Sequence, residues 1–309
     1  MTLRHLRIGT RASKLALVQA GHMRDRIAAA LPDAEVELIH ITTSGDRIQD
    51  RTLTEIGGKG LFTQEIEQAM LEGRIDCAVH SLKDMPSQNP AGLIIAAIPE
   101  REDPRDAILS PVHLSLADLP QGARLGTASL RRQTQARHHR PDLTIVPLRG
   151  NVDTRIAKME RGEADAILLA ASGLNRLGLL HLAKGFIDPV LCPPAPGQGA
   201  LAIQAREADA DAPWLATLKH RPTTLAVAAE RGALAALEGS CRTAVGAFAR
   251  LDGNRLTLIV EALTPDARRR FRQEAETDVG AADGETIARD LGRRLGEAVA
   301  AEGGAALFG

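Results

Sequence analysis

A lysine and an aspartate lie in a loop that follows a strand-like segment near residue 80. Residues 76–80 are predicted to form a strand, and Ser81-Leu82-Lys83-Asp84-Met85-Pro86 follows directly. Ligands of open α/β sheets bind beyond the carboxyl ends of the strands, where this loop would lie. A carboxylate near a cation, such as Asp84 beside Lys83, could carry a proton or stabilise developing positive charge. An ordinary turn with a solvated ion pair is the alternative, and spacing alone does not decide between them.

A second group of polar residues follows strand-like segments between residues 124 and 176. Gly126-Thr127-Ala128-Ser129-Leu130-Arg131-Arg132 places hydroxyls, backbone N–H groups and two arginines at a predicted helix N-terminus, which attracts anions. Arg149, Arg155 and Arg176 come after later strands. A solvated rim of charge would distribute cations less regularly, so the pattern favours a polyanion site. Neither a Walker motif nor Gly-x-Gly-x-x-Gly is present, which weighs against nucleotides.

These side chains need strands and helices that present them at one edge of a sheet. Short β-rich runs alternate with helical patterns, which is typical of βαβ units around a mostly parallel sheet. The helical patterns cover about residues 13–31 and 62–71 and begin again near Ser129 and Asn151. The predicted strands are 6–10, 36–43, 76–80, 93–98, 124–127, 143–148, 164–170 and 200–205.

Two short patterns occur twice in the same order. Ile8-Gly9-Thr10 followed by Ser13 resembles Leu125-Gly126-Thr127 followed by Ser129, and Met70-x-x-Gly73-x-x-Asp76 returns as Met159-x-x-Gly162-x-x-Asp165. The repetition predicts two similar α/β lobes with a cleft between them and strand-to-helix loops facing it. A proline-rich segment at 192–199 is then a plausible hinge, where the chain crosses back to the first lobe.

After Pro222 the pattern changes. An amphipathic helix at 223–237, alternating strands around a turn at 252–254 and a last helix near 285–301 indicate a small α+β domain. The predicted fold is therefore α/β, with two lobes and a C-terminal α+β domain. We assign residues 1–99 and 197–219 to lobe 1, 100–196 to lobe 2 and 220–309 to the C-terminal domain.

Composition and charge exclude several classes of protein. The 309 residues are 44% hydrophobic and 25% charged, which is typical of soluble globular proteins and not of disordered chains. The formal charge of −1 argues against general nucleic-acid binding. No apolar run is long enough for a membrane span, and the start lacks the layout of a signal peptide. We therefore expect a cytoplasmic protein that binds neither nucleic acid nor membrane.

Cysteines and histidines give no sign of a metal site. Cys77, Cys192 and Cys241 are too few and too far apart for a disulfide framework or a zinc site, and His80 and His138-His139 lack metal-ligand spacing. We interpret these histidines as structural or exposed. Cys241 lies in a small-residue loop after a helix, where a thiol could react, although a buried structural thiol is the simpler interpretation from the residues alone.

The first lobe offers further candidates near its first strand and in a glycine-rich loop. Arg11 and Ser13 follow the strand at 6–10. Gly57-Gly58-Lys59-Gly60 precedes Phe62, and three glycines in four residues would suit a mobile lid or equally a plain flexible loop.

Seven segments together resemble the porphobilinogen deaminase (hydroxymethylbilane synthase) family. They occur in the family's order and extend over most of the chain up to about residue 246. The segments are His80-Ser81-Leu82-Lys83-Asp84-Met85-Pro86, Gly57-Gly58-Lys59-Gly60-Leu61-Phe62, Glu100-Arg101-Glu102-Asp103-Pro104-Arg105-Asp106, Gly126-Thr127-Ala128-Ser129-Leu130-Arg131-Arg132, Leu148-Arg149-Gly150-Asn151, Pro196-Gly197-Gln198-Gly199 and Leu237-Glu238-Gly239-Ser240-Cys241.

The resemblance implies a transferase of tetrapyrrole (heme) biosynthesis. Such enzymes join four porphobilinogen molecules head to tail, release ammonia at each step and free linear hydroxymethylbilane by hydrolysis. Growth begins on a dipyrromethane cofactor attached by a thioether, here to Cys241, which replaces the structural interpretation of that thiol. The implied fold is two lobes like those of type II periplasmic binding proteins plus a third domain that carries the cofactor, and the implied state is a monomer.

The resemblance also implies roles for the candidate residues. Asp84 would be catalytic, assisting departure of the amine, stabilising the resulting cation and later helping to remove a proton. Lys59 and Phe62 would belong to a lid. The implied cofactor contacts are Ser81, Lys83, Asp84, Thr127, Ser129, Arg131 and Arg132, with Ser13 and Asp46 as lesser candidates. The arginines implied to pair with carboxylates of the pyrroles are Arg11, Arg131, Arg132, Arg149, Arg155 and Arg176.

Two other functions fit parts of the pattern. A two-lobed protein that binds small anions without chemistry would have a similar cleft. A LysR-like regulator fits less well, because the chain opens on a lobe strand with no pair of DNA-binding helices before it.

Overall fold

The computed structural model describes residues 5–47, 60, 62–237 and 243–307. The chain forms two compact units. The first contains Met1–Glu102 and Gly199–Thr224, and the second contains Asp103–Gln198 and Leu225–Gly309. The chain therefore re-enters the first unit directly after the proline-rich segment. The three-domain division given above remains a prediction.

The first unit is built on a mixed five-stranded sheet. Its order is β2-β1-β3-β10-β4, with β1 parallel to β2 and β3, and β10 antiparallel to β3 and β4. Both faces of the sheet are covered, because successive residues of a strand point to opposite faces and both sets are buried: Cys77 and Val79 pack in one apolar cluster and Ala78 in another. The strands are β1 (His5–Thr10), β2 (Glu35–His40), β3 (Cys77–Ser81), β4 (Leu93–Ala97) and β10 (Leu201–Arg206).

The second unit repeats this arrangement. Its five-stranded sheet has the order β7-β6-β8-β5-β9, with β6 parallel to β7 and β8, and β5 antiparallel to β8 and β9. Pro147, which lacks an N–H, ends β7 earlier than the sequence predicted. The strands are β5 (Asp106–Leu109), β6 (Arg124–Gly126), β7 (Thr144–Val146), β8 (Ala166–Ala170) and β9 (Gly185–Phe186).

Helices connect the strands of both units. The described α-helices are α1 (Lys14–Ala30), α2 (Ser44–Arg47), α3 (Gln64–Leu71), α4 (Leu130–His139), α5 (Val152–Glu160), α6 (Ala171–Arg176), α7 (Pro213–Ala216), α8 (Arg221–Leu237) and α9 (Gly284–Gly303). Ser13 and Ser129 cap α1 and α4, because each hydroxyl accepts a hydrogen bond from a backbone N–H of the first turn. The repeated serines thus begin equivalent helices.

The repeated aspartates also have equivalent structural roles. The Asp76 carboxylate accepts hydrogen bonds from the backbone N–H and the guanidinium of Arg7 in β1. Asp165 does the same with Arg124 in β6. Each pair ties the start of one central strand to its neighbour. The repetition in the sequence therefore corresponds to a repetition in structure, and the prediction of two similar α/β lobes is confirmed.

The C-terminal part of the second unit is α+β, as predicted. Its antiparallel sheet contains β11 (Ala244–Asp252), β12 (Arg255–Leu263) and β13 (Arg270–Asp278). The first hairpin turns at Gly253, whose φ of 56° favours glycine. Gly292 lies so close to the backbone of Ala229 that a side chain there would overlap it, and this allows α8 and α9 to pack tightly over the sheet.

Candidate functional site

The first candidate group surrounds the turn after β3. Leu82–Asp84 forms a single 3-10 turn, and the Leu82 N–H donates to the Ala200 carbonyl at 3.0 Å. The Leu82 and Met85 side chains are buried on either side of the turn, whereas Lys83 is half-buried and Asp84 is exposed. Packing of the two apolar residues therefore directs the Asp84 carboxylate to a position that a ligand could reach.

A small pocket opens beside this turn in the first unit. Several residues that the sequence singled out meet here. The pocket is lined by Arg11, Gln19, Phe62, Thr63, Val79, His80, Ser81 and Asp84. It combines one carboxylate, one guanidinium and two hydroxyls with the aromatic ring of Phe62, so it could hold a small polar molecule that carries both an acidic group and a flat apolar ring.

Arg11 is held between two neighbours. Its Nε donates to Asp46 Oδ1 at 3.1 Å, and its guanidinium carbon lies 4.2 Å from the centre of the Phe62 ring. Burial would raise the pKa of Asp46, but hydrogen bonds from Arg11 and Thr43 outweigh it and lower the pKa. Asp46 therefore remains ionised and fixes the orientation of Arg11.

A buried polar chain runs behind the pocket. His80 Nε2 lies 3.0 Å from Gln204 Oε1, and Gln204 Nε2 donates to Glu67 Oε1 at 3.2 Å. Because the Gln204 amide nitrogen faces a carboxylate, its oxygen accepts the proton of His80 Nε2. Burial lowers the pKa of His80 to about 4, although the bond to Gln204 acts in the opposite direction. The imidazole is therefore neutral at physiological pH.

Ser81 takes part in a separate contact beside the pocket. Gln19 Nε2, in α1, donates to the Ser81 hydroxyl at 3.0 Å. This bond ties the last residue of β3 to the helix that follows β1. Ser13 lies at the start of the same helix, where its hydroxyl accepts the Ala16 N–H at 3.3 Å.

The second candidate group surrounds the N-terminus of α4 in the second unit. Thr127 Oγ1 accepts the Ser129 N–H at 3.2 Å, and Ser129 Oγ accepts the Arg132 N–H at 3.5 Å. The two hydroxyls thus satisfy N–H groups of the loop and the first turn. Such a helix end has a partial positive charge and favours anions.

Arg131 and Arg132 point into the second unit rather than into solvent. Their residues are only 5% and 6% exposed. Arg131 Nη2 donates to Asp106 Oδ2 at 2.8 Å, and Arg132 donates to Asp106 Oδ1 through Nε at 3.1 Å and Nη2 at 2.7 Å. Burial alone would raise the pKa of Asp106, but the two guanidinium groups hold it well below its usual range. Two positive charges thus share one carboxylate, and the cluster has a net charge of +1.

The remaining predicted arginines differ in their surroundings. Arg155 Nε donates to the Gly150 carbonyl at 2.7 Å, so it is tied to the loop after β7. Arg149 lies in that loop, half-buried, and Arg176 is the last residue of α6. All three therefore follow strands of the second sheet, as the sequence placed them.

Two buried guanidinium nitrogens in this unit have no hydrogen-bond partner among the described residues. They are Arg131 Nε and Arg149 Nη1. A buried charged donor without an acceptor is costly, and an anionic group supplied from outside would satisfy it. The described residues therefore fit a polyanion such as a pyrrole chain with acetate and propionate groups.

Two of the predicted site residues, Cys241 and Lys59, lie outside the described residues. Sequence reasoning had also given no role to Asp106 and Gln198, which contact the two buried arginines. Both lie in segments that the resemblance had drawn attention to, and that was the available signal. In the described ranges no helix is long and apolar enough to cross a membrane, and no three acidic, histidine or cysteine side chains cluster as metal ligands would.

Comparison with known sequences gives matches over the whole chain. The sequence model "Porphobilinogen deaminase, dipyromethane cofactor binding domain" matches residues 6–213, and "Porphobilinogen deaminase, C-terminal domain" matches residues 224–301. A porphobilinogen deaminase of Caulobacter sp. (strain K31) is 66% identical, covering 100% of this chain and 99% of that protein. One from Phenylobacterium zucineum (strain HLK1) is 64% identical, covering 98% of each.

Similar solved structures include two proteins that are named for the small molecules they bind. The methionine-binding protein MetQ is 13% identical with a TM-score of 0.44, covering 69% of this chain and 88% of that one. The aliphatic sulphonate binding protein SsuA of Escherichia coli is 16% identical with a TM-score of 0.37, covering 67% of this chain and 63% of that one.

Proposed function

Because this chain belongs to the porphobilinogen deaminase family, we propose that it joins four porphobilinogen molecules head to tail into linear hydroxymethylbilane in tetrapyrrole biosynthesis. The specific activity that we propose is that of hydroxymethylbilane synthase, which is a transferase. The observation that carries the proposal beyond the family is the exposed Asp84 carboxylate beside a pocket that also contains Arg11. A binding protein without chemistry, the alternative, is not favoured, because the family is enzymatic.

Each addition exchanges a C–N bond for a C–C bond. Porphobilinogen carries an aminomethyl group, whose C–N bond breaks to release ammonia once the nitrogen is protonated. The remaining pyrrole is a cation, which is attacked by a ring carbon of the terminal pyrrole of the growing chain. That carbon then loses its proton, and the aromatic ring is restored.

Asp84 is suited to the changes of charge in this sequence. Its carboxylate can hold a proton near the leaving amine, stabilise the cation electrostatically and accept the proton that the attacking carbon loses. The guanidinium of Arg11 would pair with a carboxylate of this ring, which helps to fix the ring relative to Asp84. His80, being neutral, adds no positive charge to the pocket wall.

A dipyrromethane, when bound, supplies the pyrrole on which the chain starts. We propose that Cys241 attaches it through a thioether. Ser81, Lys83 and Asp84 of the first unit and Thr127, Ser129 and the arginine pair of the second would contact it, with Ser13 and Asp46 as lesser contacts. Arg149, Arg155 and Arg176 would pair with carboxylates of the chain, and Phe62 and Lys59 would belong to a lid. We further propose that the protein acts as a cytoplasmic monomer.

The decisive test is the mass of the purified chain after denaturation, combined with consumption of porphobilinogen. A thioether survives unfolding, whereas a bound ligand is lost. We expect an excess mass equal to two porphobilinogen molecules less two ammonias, absent from Cys241→Ser, and loss of porphobilinogen from solution with the wild-type chain. A bare chain that neither gains mass nor consumes porphobilinogen when that compound is added would refute the proposal.

A further inference from the structure

Asp106 and Gln198 are far apart in the sequence and meet beneath the two buried arginines. Gln198 Nε2 donates to Asp106 Oδ1 at 2.9 Å and to the Pro104 carbonyl at 2.7 Å. Arg132 Nη2 lies 3.4 Å from Gln198 Oε1. Because both N–H bonds of the Gln198 amide are used, its orientation is fixed, and its oxygen faces the guanidinium of Arg132.

The carboxylate of Asp106 is surrounded by donors. Arg131 approaches Oδ2, and Arg132 and Gln198 approach Oδ1. The other end of Arg131 is held by Gln135, whose Oε1 accepts from Nη1 at 2.8 Å, and by the Pro193 carbonyl at 3.2 Å. Among the nitrogens of Arg131 this leaves Nε without an acceptor in the described part of the chain.

The fold of a lobe does not require this charged cluster. In the second sheet Asp106 pairs with Ala170, the last residue of β8, and in the first sheet Leu201 pairs with Ser81, the last residue of β3. Leucine thus occupies the position equivalent to Asp106.

The positions of the two arginines are also occupied by apolar residues in the first unit. Two and three residues after the helix-capping serine, the first unit has Leu15 and Ala16 where the second has Arg131 and Arg132. Buried ion clusters gain little over apolar residues of similar size, because desolvation offsets their attraction. The first unit therefore shows that the same arrangement of strands and helix can form with apolar side chains at these positions.

We propose that Asp106 and Gln198 are positioning residues that orient the Arg131–Arg132 pair toward carboxylates of the pyrrole chain, an inference that rests on the proposed function. Asp106 neutralises one of the two positive charges, so the pair can be buried while retaining a net attraction for an anion. Gln198 bridges the Asp106 carboxylate and the Arg132 guanidinium through its amide. The remaining Arg131 N–H then has a fixed direction.

Two variants and a matched control test the proposal. Gln198→Leu keeps all three charges and removes only the amide contacts, whereas Asp106→Asn removes the shared negative charge. Asp165→Asn is the control, because Asp165 also pairs with an arginine at 2.7 Å in the same unit, but its side chain is 37% exposed, against 3% for that of Asp106. For each we would measure the melting temperature, the covalent mass excess, and kcat and KM for porphobilinogen on the adduct-bearing fraction.

We expect Gln198→Leu to melt within a few degrees of the wild type and to raise KM about tenfold, as loss of a hydrogen bond to a charged group does, with kcat little changed. Asp106→Asn should raise KM further and lower the adduct-bearing fraction. Asp165→Asn should match the wild type in both KM and the adduct-bearing fraction. A role confined to folding would lower the amount of folded protein without changing KM of the folded fraction.

Wild-type KM and adduct content in Gln198→Leu would overturn the proposal. If Asp106→Asn does not fold, Gln198→Leu decides alone. If Gln198→Leu also fails to fold, the cluster serves the fold and the proposal is wrong. Failure of the wild-type chain to consume porphobilinogen would instead refute the proposed function, so the two failures are distinguishable.

Discussion

The two lobes have the same arrangement of strands and differ in which equivalent positions carry polar residues. Ile8 pairs with Cys77 in the first sheet, and Leu125 pairs with Ala166 in the second, so the strands align residue by residue. Along these aligned strands, the first lobe has His80 where the second has Leu169. Each lobe therefore tolerates an apolar residue at a position where the other buries a polar one.

The polar groups that both lobes contain are those that their shared arrangement of strands needs. The Asp76 and Asp165 ion pairs occur in both lobes and tie equivalent strands together. Among the described residues, the His80 chain occurs only in the first lobe and the Asp106 cluster only in the second. Since a buried polar group costs free energy unless it is fully paired, the unshared groups are the ones to examine for function. Four experiments test whether the two lobes differ in this way.

Removing the exposed carboxylate of the first lobe should have the largest effect. Asp84 is the third residue after β3, and the third residue after β8 is Gly173, so the second lobe has no carboxylate at the equivalent position. We expect Asp84→Asn to lower kcat for porphobilinogen by about 10²- to 10⁴-fold, the usual contribution of a general acid–base group. Circular dichroism should show an unchanged fold.

Asp33→Asn, which removes an exposed carboxylate elsewhere in the same lobe, is the control. It should leave kcat within a factor of about two, since surface charges distant from a site contribute little. Turnover by Asp84→Asn close to that of the control would remove Asp84 from the mechanism.

Loss of folding stability at acidic pH should arise in the first lobe, from protonation of His80. Because burial lowers the pKa of folded His80 to about 4, against about 6.5 in the unfolded chain, the unfolded state binds the proton more tightly. Stability is therefore lost as the pH falls from about 6.5 to 4, by up to about 3 kcal/mol. His80→Leu, which copies the second lobe, should lack this decline. Urea unfolding at several pH values would measure it.

The slope with pH is the informative quantity. His80→Leu also leaves Gln204 without its donor, so its stability at neutral pH should fall by about 1–3 kcal/mol. The exposed His22→Gln should keep the wild-type slope. A His80→Leu variant that loses stability as steeply as wild type between pH 6.5 and 4 would show that other groups cause the acid sensitivity.

The sequence predicted those features that depend on neighbours along the chain. Ser129 was placed at a helix N-terminus and caps α4, and Asp84 was placed in a turn after a strand. Features that depend on distant parts of the chain were not predictable. Asp106 is 25 residues from Arg131, and Gln198 is 66 residues from Arg132. No periodicity shows that β5, only four residues long, brings that carboxylate beneath α4.

His80 illustrates the same limit in the first lobe. The sequence predicted that it is structural or exposed. It is buried and contacts Gln204, which lies 124 residues away in β10, a strand of the first sheet that follows the second lobe in the sequence. Arg131 and Arg132 were expected to face carboxylates of a ligand, and this stays a prediction. Their type and spacing predicted the helix end, but not that both guanidinium groups share the buried carboxylate of Asp106, which lies 25 and 26 residues earlier in the chain.

Gly9, the last residue but one of β1, and Gly126, the last residue of β6, should differ in their sensitivity to a methyl group. A Cβ at Gly9 would overlap the end of Ile75, whereas a Cβ at Gly126 would overlap Leu148 and press on Ile167 as well. We expect both Gly9→Ala and Gly126→Ala to destabilise by about 1–3 kcal/mol, with Gly126→Ala the larger. Gly21→Ala, in open space within α1, should instead stabilise by about 1 kcal/mol. Equal losses at Gly9 and Gly126 would mean that the two lobes relax around a methyl group equally well.

The shared ion pairs should show the smallest difference. The Asp76 side chain is 19% exposed and that of Asp165 is 37% exposed, so solvent screens the second pair more strongly. We expect Asp76→Asn to cost about 1 kcal/mol and Asp165→Asn to cost less. Both aspartates have a lowered pKa. Burial would raise the pKa of Asp76, but the hydrogen bonds from Arg7 outweigh it, and the hydrogen bond from Arg124 lowers the pKa of Asp165. Each contribution is therefore present near neutral pH and is lost as the pH falls below the ordinary aspartate pKa through the lowered one. Urea unfolding at neutral and acidic pH would measure both variants, and a larger loss from Asp165→Asn would mean that burial does not rank the two pairs.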